Sequence, residues 1–296
     1  MSGVAVVINP ISGTPRRHDG PAARRALAER VVREAGGTPY VTVTEASGHA
    51  RALAAEAVAR GDALVVAWGG DGTVNEVANA LAFTETALGI VAAGSGNGLA
   101  FDLGLPRTPE AALRLAIGGA TRRIDAGEVD GSPFFNLAGI GLDASIAARF
   151  ARRGAGRRGL AAYAQITFSE VLRYQPASYQ IECDGETLDR RALFIALANS
   201  RQYGNGALIA PRARLDDGRF EVVVVEPHSL ARMAVRLPSL FRGTLVDSPG
   251  LVMRSSTRLR VSAEAPIAFH VDGEPRLGGT TIEVRIHAGA LSVRTP

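Results

Sequence analysis

Between residues 1 and 120, short apolar runs alternate with segments of helical period, the pattern of a parallel sheet covered by helices. Val4 to Ile8 is an unbroken apolar run, long enough for a buried strand and too short for a helix. From Pro21 to Ala35, Ala22, Ala26, Leu27 and Val31 fall on one side of a helix that Gly36-Gly37 ends. The same reading predicts strands over 39–44, 63–68 and 88–92, and helices over 49–60 and from Val74 to Leu81. Two of these strands run into glycine-rich loops, Gly69-Gly70-Asp71-Gly72-Thr73 and Gly94-Ser95-Gly96-Asn97-Gly98, and Asn9 follows the first strand. Ligands of open α/β sheets bind outside the carboxyl ends of the strands, where all three segments fall.

Beyond about Arg122 the pattern changes to short strands broken by Asp-Gly and Gly-rich turns. They are predicted over 134–137, 178–183, 193–198, 219–225, 257–261, 267–271 and 281–286, with helices over 160–172 and 229–241. The fold class is therefore an N-terminal parallel-sheet α/β domain, residues 1–120, followed by a β-rich, sandwich-like domain over 121–296. The last residues are left open to pack back on the first domain.

The charge count, 33 basic against 29 acidic residues, is nearly balanced at +4, but no lysine occurs anywhere. A Walker A loop, a protein kinase and a Schiff-base enzyme each need one, so none can operate here through its usual residue. Arg-rich coding bias explains the absence and leaves the exclusion intact. Cys183 is the single cysteine, which excludes an intrachain disulfide or a thiolate zinc cluster and suits a reducing cytoplasm. The start of the chain has neither a basic stretch nor a long apolar one, and no run reaches the roughly 18 apolar residues of a membrane span. With 5% aromatic residues and no visible stacking platform, nucleic acid is not an expected partner. His18, His49, His228, His270 and His287 have no metal-ligand spacing and read as surface or core residues.

A strand that opens into Gly69-Gly70-Asp71-Gly72-Thr73-Val74-Asn75-Glu76 and then a helix presents backbone N–H groups at the positive end of the helix dipole. That is a phosphate cradle without lysine. Asp71 is placed to hold Mg²⁺ or meet an attacking hydroxyl, while Thr73 and Asn75 supply hydrogen-bonding groups at the rim. A plain strand-to-helix turn capped by Thr73 is the alternative. The second loop repeats the logic one strand later, and it fits neither GxGxxG nor GxSxG.

These two loops, with Gly139-Ile140-Gly141-Leu142-Asp143 and the late Val271-Asp272-Gly273-Glu274-Pro275, resemble the diacylglycerol kinase and sphingosine kinase family, above all its bacterial soluble members. The match runs in order through almost the whole chain. The resemblance implies a kinase of lipid metabolism that uses ATP and Mg²⁺ to phosphorylate a lipid alcohol. Its nucleotide site would comprise Asn9, Thr44, Gly69, Gly70, Asp71, Gly72, Thr73, Asn75, Glu76, Gly94, Ser95 and Asn97. Bacterial diacylglycerol-specific members carry Thr at the place of Ser95 and Asp at that of Gly98. Gly-Ser-Gly-Asn instead looks like the sphingosine and ceramide kinase variant, which leaves diacylglycerol-like and sphingoid-base-like acceptors both open. Asp143 matches a carboxylate near the acceptor head group; a capped strand end is the other reading.

Asp-Gly-Glu occurs at 184–186 and at 272–274, and spacing cannot separate them, since both suit hairpin turns. The resemblance assigns the late one to catalysis, with Glu274 as general base and Asp272 assisting, and Asp71 as rival for the base. It also implies a structural Mg²⁺ at Asp217 with the carbonyls of Arg214 and Arg219, where a metal-free hairpin is the alternative. Arg149, Arg152, Arg153, Arg157 and Arg158 form a basic run that would hold the enzyme peripherally on an anionic membrane, or simply be a solvated loop. Rival functions are an NAD kinase-like activity, which shares the Gly-Gly-Asp-Gly-Thr loop, and a non-catalytic nucleotide- or lipid-binding protein. Monomer and homodimer are both open.

Overall fold

The computed structural model describes residues 3–13, 20–152, 160–204 and 206–296, which form two compact units, one of residues up to 124 together with 289–296 and one of 125–288. The first unit contains β1 (Gly3–Ile8), α1 (Pro21–Glu34), β2 (Thr38–Val43), α2 (His49–Ala59), β3 (Leu64–Gly69), α3 (Asp71–Leu81), β4 (Ala87–Ala92), α4 (Gly98–Asp102) and α5 (Pro109–Gly118). The strands lie parallel in the order β2-β1-β3-β4. Because helices cover a parallel sheet on both faces, β1 and β3 are buried along nearly their whole length, and their apolar runs need no alternation. Val6, Ile8, Val66 and Trp68 form a core with Ala28 and Val32 of α1 and Leu113 of α5.

The second unit takes in most of β5 (Ala120–Val129), then β6 (Ser132–Phe134), β7 (Leu137–Gly141), α6 (Leu142–Arg152), α7 (Leu160–Val171), β8 (Ala177–Cys183), β9 (Glu186–Ala192), β10 (Phe194–Ala198), β11 (Gln202–Gly204) and β12 (Ala207–Leu208). It continues with β13 (Phe220–Val225), α8 (Leu230–Arg242), β14 (Leu251–Ser256), β15 (Arg258–Ser262), β16 (Ala268–Val271), β17 (Glu274–Leu277) and the first part of β18 (Thr281–Thr295). One antiparallel layer has the order β14-β13-β10-β7-β16-β17; β18, β15, β8 and β9 form the other. Ile140, Ile195, Val222 and Phe269 of the first layer meet Ile181, Leu259, Val261 and Ile282 of the second in one core, as a β-sandwich requires. The C-terminal residues of β18 belong to the first unit, where Val293 pairs in parallel with Leu88 of β4.

The structure departs from the sequence expectations in several places, three of which bear on the site. The helix expected from Val74 begins at Asp71, inside the glycine loop. The strand expected over 134–137 is two strands, with Phe135 and Asn136 in the break between β6 and β7. A further helix, α6, starts directly after Gly141, whose φ of +84° turns the chain out of β7.

Candidate functional site

In the first unit the two glycine loops are held edge to edge by Asp71. Its Oδ2 accepts the N–H of Asn97 at 2.8 Å and its Oδ1 that of Gly98 at 2.9 Å. Close approach explains several of the glycines. A Cβ on Gly94 would lie 2.7 Å from the Gly70 Cα, one on Gly96 2.8 Å from Asp71 Oδ2, and one on Gly69 2.5 Å from the Thr73 side chain. Asn97 adopts a left-handed conformation at φ 53°, and its amide closes the second loop, accepting from Gly94 N at 2.8 Å and donating to Gly94 O at 2.7 Å. Asn is one of the few residues that tolerate this region.

Gly72 differs from the others, because a Cβ there would meet no protein atom within 4 Å. It sits in the first turn of α3, whose leading N–H groups have no acceptor within a helix. Bare amides, the positive end of the dipole and absence of a side chain fit an anion such as a nucleotide phosphate.

The neighbouring residues frame this cradle. Asn9 donates its N–H to Trp68 O at 2.9 Å and its side-chain amide to Thr73 Oγ1 at 2.9 Å. Thr44, buried at the end of β2, donates its N–H to Ile8 O at 2.8 Å. Asn75 accepts from Asn79, and Ser95 is exposed on the second loop. Glu76 accepts the N–H groups of Gly48 at 2.9 Å and Ala50 at 3.1 Å, which caps α2 and ties it to α3. Arg24 carries no motif and escaped the sequence reading. It is 5% exposed, lies over the Trp68 ring and donates to Asn9 O at 3.1 Å and Ser12 O at 2.9 Å, so its charge props the loop after β1. Its apolar neighbours in α1 gave no signal that this arginine, among many, turns inward.

The second unit gathers a different set. Asp143, 4% exposed in the first turn of α6, accepts from the Tyr203 hydroxyl and pairs with His270 Nε2 at 2.7 Å. A Cβ on Gly139 would lie 2.0 Å from Asp143 Oδ2 and 2.5 Å from His270 Nε2, so only glycine leaves room for the pair. Burial opposes the charged imidazole, but the charge and hydrogen bond of Asp143, helped by Asp272, outweigh it and raise the His270 pKa. Gly273 N–H donates to His270 Nδ1 at 3.2 Å, a bond that protonation of Nδ1 would break. His270, read from sequence as a surface or core residue, is thus a buried partner of the acceptor candidate.

Asp272 acts on this pair, and Glu274 follows it across the turn, opposite Val271. Asp272 accepts three backbone N–H groups, from Phe135 at 2.9 Å, Asn136 at 3.0 Å and Leu137 at 2.9 Å, and so fixes the break between β6 and β7. Glu274, half-buried at the start of β17, pairs with Arg276 at 3.3 Å. Asp184-Gly185 makes the same left-handed pair of turn residues as Asp272-Gly273, but Asp184 binds Thr257 and Arg219, and Glu186 is exposed. Identical turns thus differ only in what tertiary structure sets beside them.

At the loop of residues 214–219, Asp217 Oδ1 accepts Arg219 N at 3.1 Å, Arg214 pairs with Asp216, and the buried Asp125 accepts Gly218 N at 2.7 Å. Among the described residues no cluster of three or more His, Cys, Asp or Glu side chains is present, so a cation there would depend on backbone carbonyls beside Asp217. Arg149 is committed to Glu170 and Ser169 and joins α6 to α7; Arg152 is exposed. Arg153, Arg157, Arg158 and His18 lie outside the described residues. No helix among the described residues is long and apolar enough to cross a membrane.

Comparison with known proteins gives two family matches. Residues 3–129 match the diacylglycerol kinase catalytic domain, and residues 136–295 match the YegS C-terminal NAD kinase beta sandwich-like domain. A Pseudomonas aeruginosa protein named probable lipid kinase YegS-like is 35% identical over 277 residues, covering 92% of this chain and 89% of that one. The lipid kinase YegS of Escherichia coli K12 is 32% identical over 274 residues, 90% of this chain and 89% of its own. Two Bacillus anthracis crystal structures share the fold, with TM-scores of 0.80 and 0.76 at 22% and 18% identity; each alignment covers 99% of this chain and 97% of the other, and the second is described as a diacylglycerol kinase.

Proposed function

The chain belongs to the diacylglycerol kinase family of lipid kinases, with the family's catalytic domain followed by its YegS-type C-terminal domain, and from that premise we propose a division of labour among its residues. The kinase transfers the terminal phosphoryl group of ATP to the hydroxyl of a lipid alcohol, diacylglycerol-like or sphingoid-base-like. The observation that carries the nucleotide reading is the clasp of both glycine loops on Asp71, which leaves the N-terminus of α3 open at Gly72.

The amides of residues 70–73 hold the phosphates, and Asn9, Thr44, Thr73, Asn75, Ser95 and Asn97 line or brace the loops. A bound divalent cation, Mg²⁺ by the family's habit, would supply charge neutralisation on the phosphates. Asp71 already serves two backbone donors, so it acts first as the clasp. Glu274 then takes the role of general base and receives the proton of the acceptor hydroxyl, with Asp272 holding the turn that presents it. Asp143, braced by Tyr203 and His270, binds the acceptor head group. The 214–219 loop would hold a structural cation, with Asp217 and the carbonyls of Arg214 and Arg219 as its ligands. The exposed Arg152 lies against an anionic membrane.

The test is phosphoryl transfer from labelled ATP to diacylglycerol, sphingoid base, ceramide, phosphatidylglycerol and NAD, with wild type and Glu274→Gln. Wild type should label a lipid and not NAD. Glu274→Gln should lose about 10²–10⁴-fold in kcat, the span of general base catalysis, while still binding ATP. Labelling of NAD alone, or normal turnover in the variant, would overturn the reading.

A further inference from the structure

Arg24 closes the first turn of α1, a place that helix physics makes unfavourable for it. The turn holds no acidic residue, and the arginine is buried. The positive end of the helix dipole repels a cation there, and removal of a guanidinium from water adds a second cost. Neither cost serves the packing of α1, whose contact with the sheet comes from Ala28, Val31 and Val32 further along the same face.

What Arg24 binds lies at the carboxyl end of β1. Asn9 O accepts from Arg24 Nη1 at 3.1 Å, from Ser12 Oγ at 2.8 Å and from Ser12 N at 3.4 Å. The other terminal nitrogen, Nη2, donates to Ser12 O at 2.9 Å, so one planar fork spans the turn from Asn9 to Ser12. The guanidinium carbon lies 5.8 Å from the centre of the Trp68 ring, which fixes the plane of the fork. The same turn is tied to both glycine loops. Asn9 donates its side-chain amide to Thr73 Oγ1 at 2.9 Å, in the first turn of α3. Gly13, at φ +91°, runs so close to the residue before Gly94 that a Cβ would stand 3.2 Å from Ala93 O and 3.4 Å from Arg24 Nη2.

We propose that Arg24 is a positioning residue of the nucleotide site, acting through Asn9 on Thr73 so that the loop after β1 stays closed against the phosphate cradle of α3. This rests on the nucleotide reading above and adds to it a residue outside every glycine loop. The fork is what the role requires. A lysine would keep the charge but cannot reach Asn9 O and Ser12 O with one rigid plane, so it should not replace the arginine.

The test is calorimetric titration of the full chain with Mg·ATP, using wild type, Arg24→Lys, Thr73→Val and the double variant. Arg24→Lys should weaken ATP binding about tenfold, the worth of one charged hydrogen bond, and Arg24→Gln at least as much. Thr73→Val removes the acceptor of the Asn9 amide, so in its presence Arg24→Lys should cost less than about twofold. Thermal unfolding identifies the folded variants. An arginine with only a structural role would lower the melting temperature and leave ATP affinity of the folded protein as it was. Affinity within about twofold of wild type in a folded Arg24→Lys or Arg24→Gln protein, or equal losses with and without Thr73, overturns the proposal. Failure of the wild type to bind ATP would instead sink the nucleotide reading, and this role with it.

Discussion

Replacing Asp71 by Asn tests the loop clasp most directly. The native carboxylate accepts two backbone N–H groups, one on each oxygen, at 2.9 Å and 2.8 Å. An Asn side chain keeps one acceptor and turns the other position into an NH₂ donor, so one backbone donor then faces a donor. A hydrogen bond to a charged group contributes about 1.5–3 kcal/mol, and the surviving bond weakens by roughly half once the charge is gone. The closed arrangement of the loops therefore loses about 2–4 kcal/mol. The lower end applies, because an opened loop rehydrates. At about 1.4 kcal/mol per decade, ATP affinity should fall by roughly 30–100-fold. The fold itself should survive, since the sheet core beneath the loop is untouched. Trp68, which immediately precedes the glycine loop, makes the assay convenient: ATP titration followed by its fluorescence gives affinity, and thermal unfolding checks integrity. An ATP affinity within about twofold of wild type, in a folded Asp71→Asn protein, would refute the clasp as the organiser of the nucleotide site.

In the second unit, Gly139→Ala should destabilise by about 3–5 kcal/mol in urea unfolding, the cost of disrupting the buried Asp143–His270 pair, because the new Cβ would stand 2.0 Å from Asp143 Oδ2; a loss below about 1 kcal/mol would show that the pair moves aside freely. His270 has a folded pKa raised above its ordinary 6.5, so its contribution to stability is full below that pH and is lost as pH rises through the raised value. The stability difference between wild type and His270→Gln should accordingly shrink with rising pH, and a difference that stays flat or grows would place the proton elsewhere. Glu76→Ala should fray the start of α2, raising amide exchange at Gly48 and Ala50 by about tenfold through loss of its cap; unchanged exchange there would remove the capping role.

Much of the first unit was legible because a parallel strand covered on both sides has to be apolar throughout, and the runs at Val4, Ala63 and Leu88 announce this. Alternation and Asp-Gly turns made the sandwich legible in the same way. Other features were hidden by their partners. α6 was missed because Gly139-Ile140-Gly141 reads as a strand end, and helix formation follows from the turn at Gly141 and from packing of Leu142 and Ile146 on Leu193 and Ile166. The break at Phe135 and Asn136 depends on Asp272, more than 130 residues away.

The site divides along the same line. The glycine loops, their carboxylate and the late Asp-Gly-Glu could be named from the chain alone, since each is a short segment whose chemistry lies in its own residues. The roles within them were decided by tertiary contacts. Asp71 became a clasp because residues 97 and 98 fold back to it, Asp272 became an anchor because three amides converge on it, and His270 and Arg24 acquired partners that no spacing announced. The physical reason is that a local motif sets which atoms can bond, while burial and long-range packing decide which of those atoms have already been used.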